Sequence, residues 1–154
     1  METYNPASER QERVSEVELA LRAERLLYTD VTEFNMWRVE HAHDWIILDD
    51  IDVSGLDLRG AMLFRVRCER GNFRETNMEG AVLMGSSFAL ADMAGADLTG
   101  TRAELADFSN ANLKNASFRN ATITLAIFRG ANTQSVDWEG SGGLQASGPP
   151  TQIA

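Results

Sequence analysis

Two histidines and three aspartates near residue 45 are the residues best suited to bind a metal ion. His41 and His43 are followed closely by Asp44, Asp49 and Asp50. Imidazole and carboxylate groups are common metal ligands. The two imidazoles would lie on one side of a strand, whereas on a helix they would diverge. The alternative is a pair of histidines at a domain junction, one packed under nearby tryptophans; we predict no metal and no cofactor.

The single cysteine and a few hydroxyl and carboxylate side chains are the other candidates for chemistry. Cys68 would act as a nucleophile only beside a base. Ser86 and Ser87 could be combined with Asp92 and Asp97 into an acid–base site, but the regular pattern described below explains their positions without catalysis. The glycines recur as turns rather than as a phosphate-binding loop. We therefore predict that the protein is not an enzyme.

Length and charge restrict the class of protein further. The chain has 154 residues, 44% of them hydrophobic, which is enough for one domain with a core. Its net charge of −9 disfavours direct contact with nucleic acid or anionic membranes. The sequence contains no apolar run long enough for a membrane span and no visible secretory signal. We expect a cytoplasmic protein.

A five-residue repeat dominates the sequence. Residues 46–140 divide into nineteen consecutive blocks of five without a break in register. The third position is apolar or cysteine in every block except that of Thr133, and the fifth is Gly or Asn in eleven blocks. Gly and Asn tolerate the positive φ that tight turns need. The pattern predicts a chain that turns every five residues, with first and third positions inward and four sides per 20-residue coil.

Blocks such as ADLTG, ADFSN, ANLKN and AIFRG resemble the A(D/N)(L/F)XX pattern of pentapeptide-repeat proteins. The resemblance implies an all-β solenoid, a right-handed quadrilateral β-helix, here of four to five coils and bacterial in type. It implies no common chemistry, because members have several unrelated binding roles.

Helices are predicted before the repeat. Ser8 to Leu27 forms one helix, with Ser8 as N-cap and an apolar stripe of Val14, Val17 and Leu21. A second helix is expected from Thr32 to Trp45, with Trp37 and Trp45 capping the first coil. The predicted domains are a helical segment (1–45), the repeat (46–140) and a flexible Gly/Ser/Pro-rich tail (141–154).

The 20-residue coil predicts which side chains lie above one another. We number the four faces from the blocks that begin at Ile46, Ile51, Leu56 and Ala61. One inward column on face 1 contains Leu48, Cys68, Phe88, Phe108 and Phe128. A buried cysteine in this column would be inert.

Two outward surfaces are candidate binding sites. The first is an apolar patch on face 4, consisting of Met62, Phe64, Val82, Met84, Leu105 and Leu125. Such patches mark either an interface or an internal cover, and we expect the N-terminal helix to cover this one. The second is an acidic stripe on faces 2 and 3, consisting of Asp52, Asp57, Asp92, Asp97 and Asp137. The stripe either binds a basic partner or supports the turns by hydrogen bonding to the backbone.

These features favour a non-enzymatic module that binds an as yet unidentified protein. The alternative is a DNA-mimicking protein that binds a topoisomerase such as gyrase and protects it from poisons, a role found in one branch of the family. A homodimer through the C-terminal coil near Trp138 would cover the open end of the rod.

Overall fold

The computed structural model describes residues 6–143, with side chains described from Glu16 onward. Helices α1 (Pro6–Thr29) and α2 (Val31–Glu40) precede a rod of short parallel pairings. Strands β1 (Ile46–Ile47) and β2 (Val66–Arg67) form the first of these pairings. Within 6–143, no helix combines the length and apolar character needed to cross a membrane.

The rod repeats every 20 residues. Parallel bridges join residues 20 apart, from Asp52 and Asn72 to Thr122 and Gly142. The fifth residue of every block has a positive φ, between 52° and 73°. The sequence period is therefore the period of the turns, and four turns return the chain to the same face. The bridge at Gly142 extends the rod past the predicted boundary at Gly140.

First- and third-position side chains fill the rod. All five residues of the predicted column, Leu48, Cys68, Phe88, Phe108 and Phe128, are buried. The rings of Phe88 and Phe108 stack at 5.6 Å between centroids, and those of Phe108 and Phe128 at 5.2 Å. Aromatic side chains at the 20-residue spacing thus form a continuous stack inside the coils.

Helix α1 packs on the rod through a different side from the predicted stripe. It begins at Pro6, so Ser8 lies inside its first turn rather than at its N-cap. Ala23, Leu26 and Leu27 are buried against the rod, whereas Val17 and Leu21 are 63% and 61% exposed. The predicted burial of Val17 and Leu21 is wrong, and Val14 lies outside the residues whose side chains are described.

Helix α2 is shorter than predicted. The Asp30 side chain caps it by accepting hydrogen bonds from the N–H groups of Thr32 (2.8 Å) and Glu33 (3.0 Å). It ends at Glu40, so Trp45 is not helical, and the Trp45 side chain is 51% exposed rather than part of the cap. Trp37 is buried, as are Phe34 and Arg38 on the same side of the helix.

Side chains of the two helices pair with the backbone of the first coil. Asn35 donates to Gly60 O (3.0 Å) and accepts from Met62 N–H (2.8 Å). Arg38 donates to Phe64 O (2.8 Å), and the Tyr28 hydroxyl donates to Asp52 O. One coil later, the groups equivalent to Met62 N–H, Phe64 O and Asp52 O pair with the preceding coil. The helices thus replace an earlier coil at these three groups, so the helical segment is an N-terminal cap.

Candidate protein-binding groove

The apolar patch on face 4 forms one side of an open groove. The groove has a volume of about 600 Å³. Its lining consists of outward side chains from three successive coils together with residues at the adjoining corner. These residues are Trp45, Met62, Phe64, Arg65, Val82, Met84, Gly85, Arg102 and Leu105.

The repeat itself brings these side chains together. Met62 bridges to Val82, and Val82 bridges to Arg102, so second-position side chains lie above one another. Phe64 and Met84 form the parallel row at the fourth position. Phe64 also supports the cap, since the Arg38 guanidinium lies 4.4 Å from the centre of its ring. The four predicted patch residues of the first two coils therefore share one surface.

Leu105 lines the groove at a corner, whereas the predicted patch residue Leu125, one coil further on, is not among its lining residues. Leu105 and Leu125 have φ of 61° and 58°, and their side chains are 59% and 45% exposed. A left-handed backbone costs a residue other than Gly or Asn about 1 kcal/mol. Neither turn geometry nor solubility accounts for leucine at these positions. Leu90 has the same combination at another corner, so the feature is not confined to the groove.

The predicted cover is absent from the groove. No described residue of α1 lines it, and Val17 and Leu21 point into solvent. Among the side chains described before the rod, from Glu16 onward, only that of Trp45 lines the groove. The expectation that α1 covers the patch is therefore wrong, because α1 buries its other side on the rod.

The sequence analysis missed four lining residues: the turn glycine Gly85 and three with larger side chains, Trp45, Arg65 and Arg102. Positions 45, 65, 85 and 105 form one series at intervals of 20 residues, which contains Trp45 and Arg65. Arg102 follows Val82 at the same interval. Extending the register upstream and including charged residues would have placed all three on the patch.

The acidic stripe has a structural role along the rod. Each of its five carboxylates accepts a hydrogen bond from the backbone N–H two residues later, at 2.9–3.2 Å. Three of them also pair with arginines: Asp57 with Arg59, Asp92 with Arg74, and Asp137 with Arg119. In both interactions the carboxylates are already bound within the protein, which leaves less negative charge for a basic partner.

The pKa values of three stripe residues reflect these contacts. The N–H of Ser54 lowers the pKa of Asp52, and the side chain of Arg59 lowers the pKa of Asp57. The N–H of Glu139, followed by Arg119, lowers the pKa of Asp137. In each case the folded protein stabilises the ionised carboxylate.

Three of the five candidate metal ligands have other partners. The His41 ring stacks on Trp37 at 4.6 Å, and its Nδ1 lies 2.9 Å from Trp37 O. Asp49 and Asp50 pair with Arg67 and Arg70. Within the described part of the chain, no three His, Cys, Asp or Glu side chains are arranged to hold a metal ion.

The candidate nucleophiles are built into the rod. Cys68 is buried, and this burial raises the pKa of its thiol far above the usual range. The Ser86 hydroxyl donates to Leu63 O (2.5 Å) and accepts from Val66 N–H (3.1 Å). Both residues therefore serve the packing and hydrogen bonding of the coils.

The repeat also matches a known family. The family model for pentapeptide repeats matches eight copies, over residues 69–102 and 104–132. This part of the chain belongs to the pentapeptide-repeat family. Among curated protein sequences, none matches it significantly.

Solved pentapeptide-repeat proteins have the same fold. Rfr23 from the cyanobacterium Cyanothece 51142 is 19% identical, with 75% of this chain and 97% of that one covered and a TM-score of 0.60. The protein alr5209 from Nostoc PCC 7120 is 24% identical over 65% of this chain and 82% of that one, with a TM-score of 0.53. These similarities show the right-handed quadrilateral β-helix.

A third similarity is too weak to support an argument. QnrB1, a plasmid-mediated fluoroquinolone resistance protein, is 18% identical over 64% of this chain and 60% of that one, with a TM-score of 0.18.

Proposed function

We propose that this pentapeptide-repeat protein is a non-enzymatic protein–protein interaction module. Four to five coils form a rigid rod, the two helices cap its first coil, and a protein partner binds the face 4 groove. The observation that carries the proposal is the groove itself, which has a volume of about 600 Å³ and a mainly apolar lining. Large apolar patches on a protein surface mark interaction sites.

A comparison of faces supports this function. Second and fourth positions on face 3 are polar in the same coils, for example Asn77 and Glu79 beside Val82 and Met84. Both faces have the same turns and the same parallel pairing. The β-helix therefore does not require apolar side chains on face 4, and partner binding gives them a role.

A paired set of variants tests the proposal. We expect Val82→Ser with Met84→Ser to leave the melting temperature nearly unchanged and to abolish capture of a specific protein from the native host. Asn77→Ser with Glu79→Ser is the matched control, with the same positions changed in the same coil of face 3. Phe64 is left intact because it supports Arg38.

Two results would contradict the proposal. A large loss of thermal stability in the groove variant would show that the patch packs within the protein. Capture of the same proteins by both variants would show that binding occurs elsewhere.

The alternative function is a DNA mimic that binds gyrase. The net charge of −9 and the rows of aspartates favour it, whereas the arginine partners of three of these aspartates weaken it. A gyrase supercoiling assay with and without a topoisomerase poison distinguishes the two functions. Protection by the wild-type protein and equally by the groove variant would favour the DNA mimic.

A further inference from the structure

We propose that the groove binds an amphipathic α-helix with an apolar side and acidic residues flanking it. The inference rests on the proposed function of the groove as a partner site, and it names the kind of segment that the site accepts. Backbone pairing, groove length and local charge each support it.

Backbone pairing favours a helix over an extended peptide. Across face 4 the rod's backbone is paired within itself: Val82 N–H to Ala61 O (2.9 Å), Leu83 N–H to Arg102 O (2.7 Å) and Arg102 N–H to Ala81 O (3.0 Å). An extended segment lying in the groove would find no strand edge and would bury its own N–H and C=O groups unpaired. A helix satisfies these groups internally.

The length of the groove suits about two helical turns. Successive coils lie about 4.8 Å apart, so the surface from Met62 through Val82 to the level of Leu105 extends about 10 Å. A helix rises about 1.5 Å per residue and covers this length in roughly seven residues. Three apolar anchors at i, i+3 or i+4, and i+7 therefore match the groove.

The charged groups around the groove favour acidic flanks. Arg65 and Arg102 line it, and the side chain of Arg102 is 57% exposed. The acidic side chain facing Arg102 is Glu104, whose Oε1 lies 3.6 Å from Arg102 Nε. Arg65 donates a long hydrogen bond, 3.4 Å, to His43 O. Arginine binds carboxylates through paired hydrogen bonds, so two cations beside an apolar floor select Asp and Glu.

Selection from a display library of random 20-residue peptides tests the inference. The wild-type 154-residue chain is the target, and the Val82→Ser/Met84→Ser variant is used for counter-selection. We expect groove-dependent peptides to share apolar residues at i, i+3 or i+4, and i+7, to be rich in Asp and Glu, and to become helical on binding.

Binding of one selected synthetic peptide is then measured by fluorescence anisotropy. We expect Arg65→Glu with Arg102→Glu to weaken binding at least tenfold, and Lys114→Glu on face 2 to leave it unchanged. Raising the salt from 50 to 300 mM should weaken binding severalfold. Circular dichroism and thermal melts of each variant show whether it is folded.

The outcomes separate this inference from the proposed function. Groove-dependent peptides that are extended or basic would overturn the inference and keep the groove as a binding site. A selection without any groove-dependent peptide would overturn the inference, whereas the proposed function fails only if capture of the host protein does not depend on the groove. Sedimentation of the wild-type protein provides one further outcome: self-association that is lost in the groove variant would identify a second copy as the occupant and overturn the inference.

Discussion

Among residues 6–143, the two ends of the rod differ in how their backbone groups are paired. At the N-terminal end, Asn35, Arg38 and Tyr28 bond to the free N–H and C=O groups of the first coil. At the other end, Phe108 N–H donates to Ile127 O in the next coil (2.8 Å), whereas the equivalent N–H of Phe128 has no backbone partner among residues 6–143. The same holds for Trp138 relative to Phe118.

The difference shows which backbone hydrogen bonds the repeat forms by itself and which need residues outside it. A repeat pairs each coil with its neighbours and leaves unpaired edges at both ends. Residues outside the repeat must satisfy an end, and here the cap does so at the first coil. We propose that a second copy covers the last coil near Trp138, since the strand edge at the end of such a stack favours association.

A substitution in the middle of the rod should have the largest effect on the free energy of unfolding. Substitutions at the two ends are compared with it. Phe108 is fully buried between the rings of Phe88 and Phe128. We expect Phe108→Ala to lower the free energy of unfolding by about 3–5 kcal/mol, the usual cost of truncating a buried Phe. Chemical denaturation of the variant and the wild-type protein measures this change in the free energy of unfolding. A loss below that of the end variants described next would contradict the description of the stack as the main source of stability.

A substitution in the N-terminal cap should have the next largest effect on the free energy of unfolding. Arg38 is buried and donates to Phe64 O and His41 O. Arg38→Met keeps the apolar stem but removes the side-chain donor to Phe64 O and leaves His41 O with the N–H of Asp44 (3.1 Å) alone, which costs about 2–4 kcal/mol. Hydrogen exchange should increase selectively in the first coil. Met36→Ala, at an exposed position on the same helix, is the control and should change stability by less than about 0.5 kcal/mol.

The sequence predicts the rod better than it predicts the cap. The spacing of Phe88, Phe108 and Phe128 directly implies their stacking, because one coil takes 20 residues. In α1 the sequence offers two apolar sides, one with Val17 and Leu21 and the other with Ala23, Leu26 and Leu27. Periodicity alone does not say which side meets the rod.

The cap and the groove also depend on contacts that a pattern does not encode. A buried Arg38 is unexpected from its residue type, since its burial depends on carbonyls that are free only at the end of the rod. The apolar patch follows from the register. Its exposure does not, because it depends on where α1 packs.

The C-terminal end should contribute less than the cap. Trp138 is half-buried, stacked on Phe118 at 4.9 Å and edge-on to Phe128. We expect Trp138→Ala to lower the free energy of unfolding by about 2 kcal/mol, less than for a fully buried aromatic residue. Analytical ultracentrifugation tests the proposed second copy: the wild-type protein should dimerise and the variant should not. Wild-type protein that stays monomeric at high concentration would rule out this dimer.

The smallest effect is expected from the ion pairs beside the same end, and it depends on pH. Arg119 lies 2.9 Å from Asp137 and 2.6 Å from Glu139, all on the surface. Folding lowers the pKa of Asp137, so its contribution to stability is present above the unfolded value, about 3.8, and is lost as the pH falls through the folded value. Arg119→Ala should therefore lower the melting temperature slightly at pH 7, and the difference from wild type should disappear in acid. Arg59→Ala, which removes the partner of Asp57, should show the same trend at the capped end. A difference that persists in acid would instead assign the role of Arg119 to packing of its apolar stem, which does not titrate.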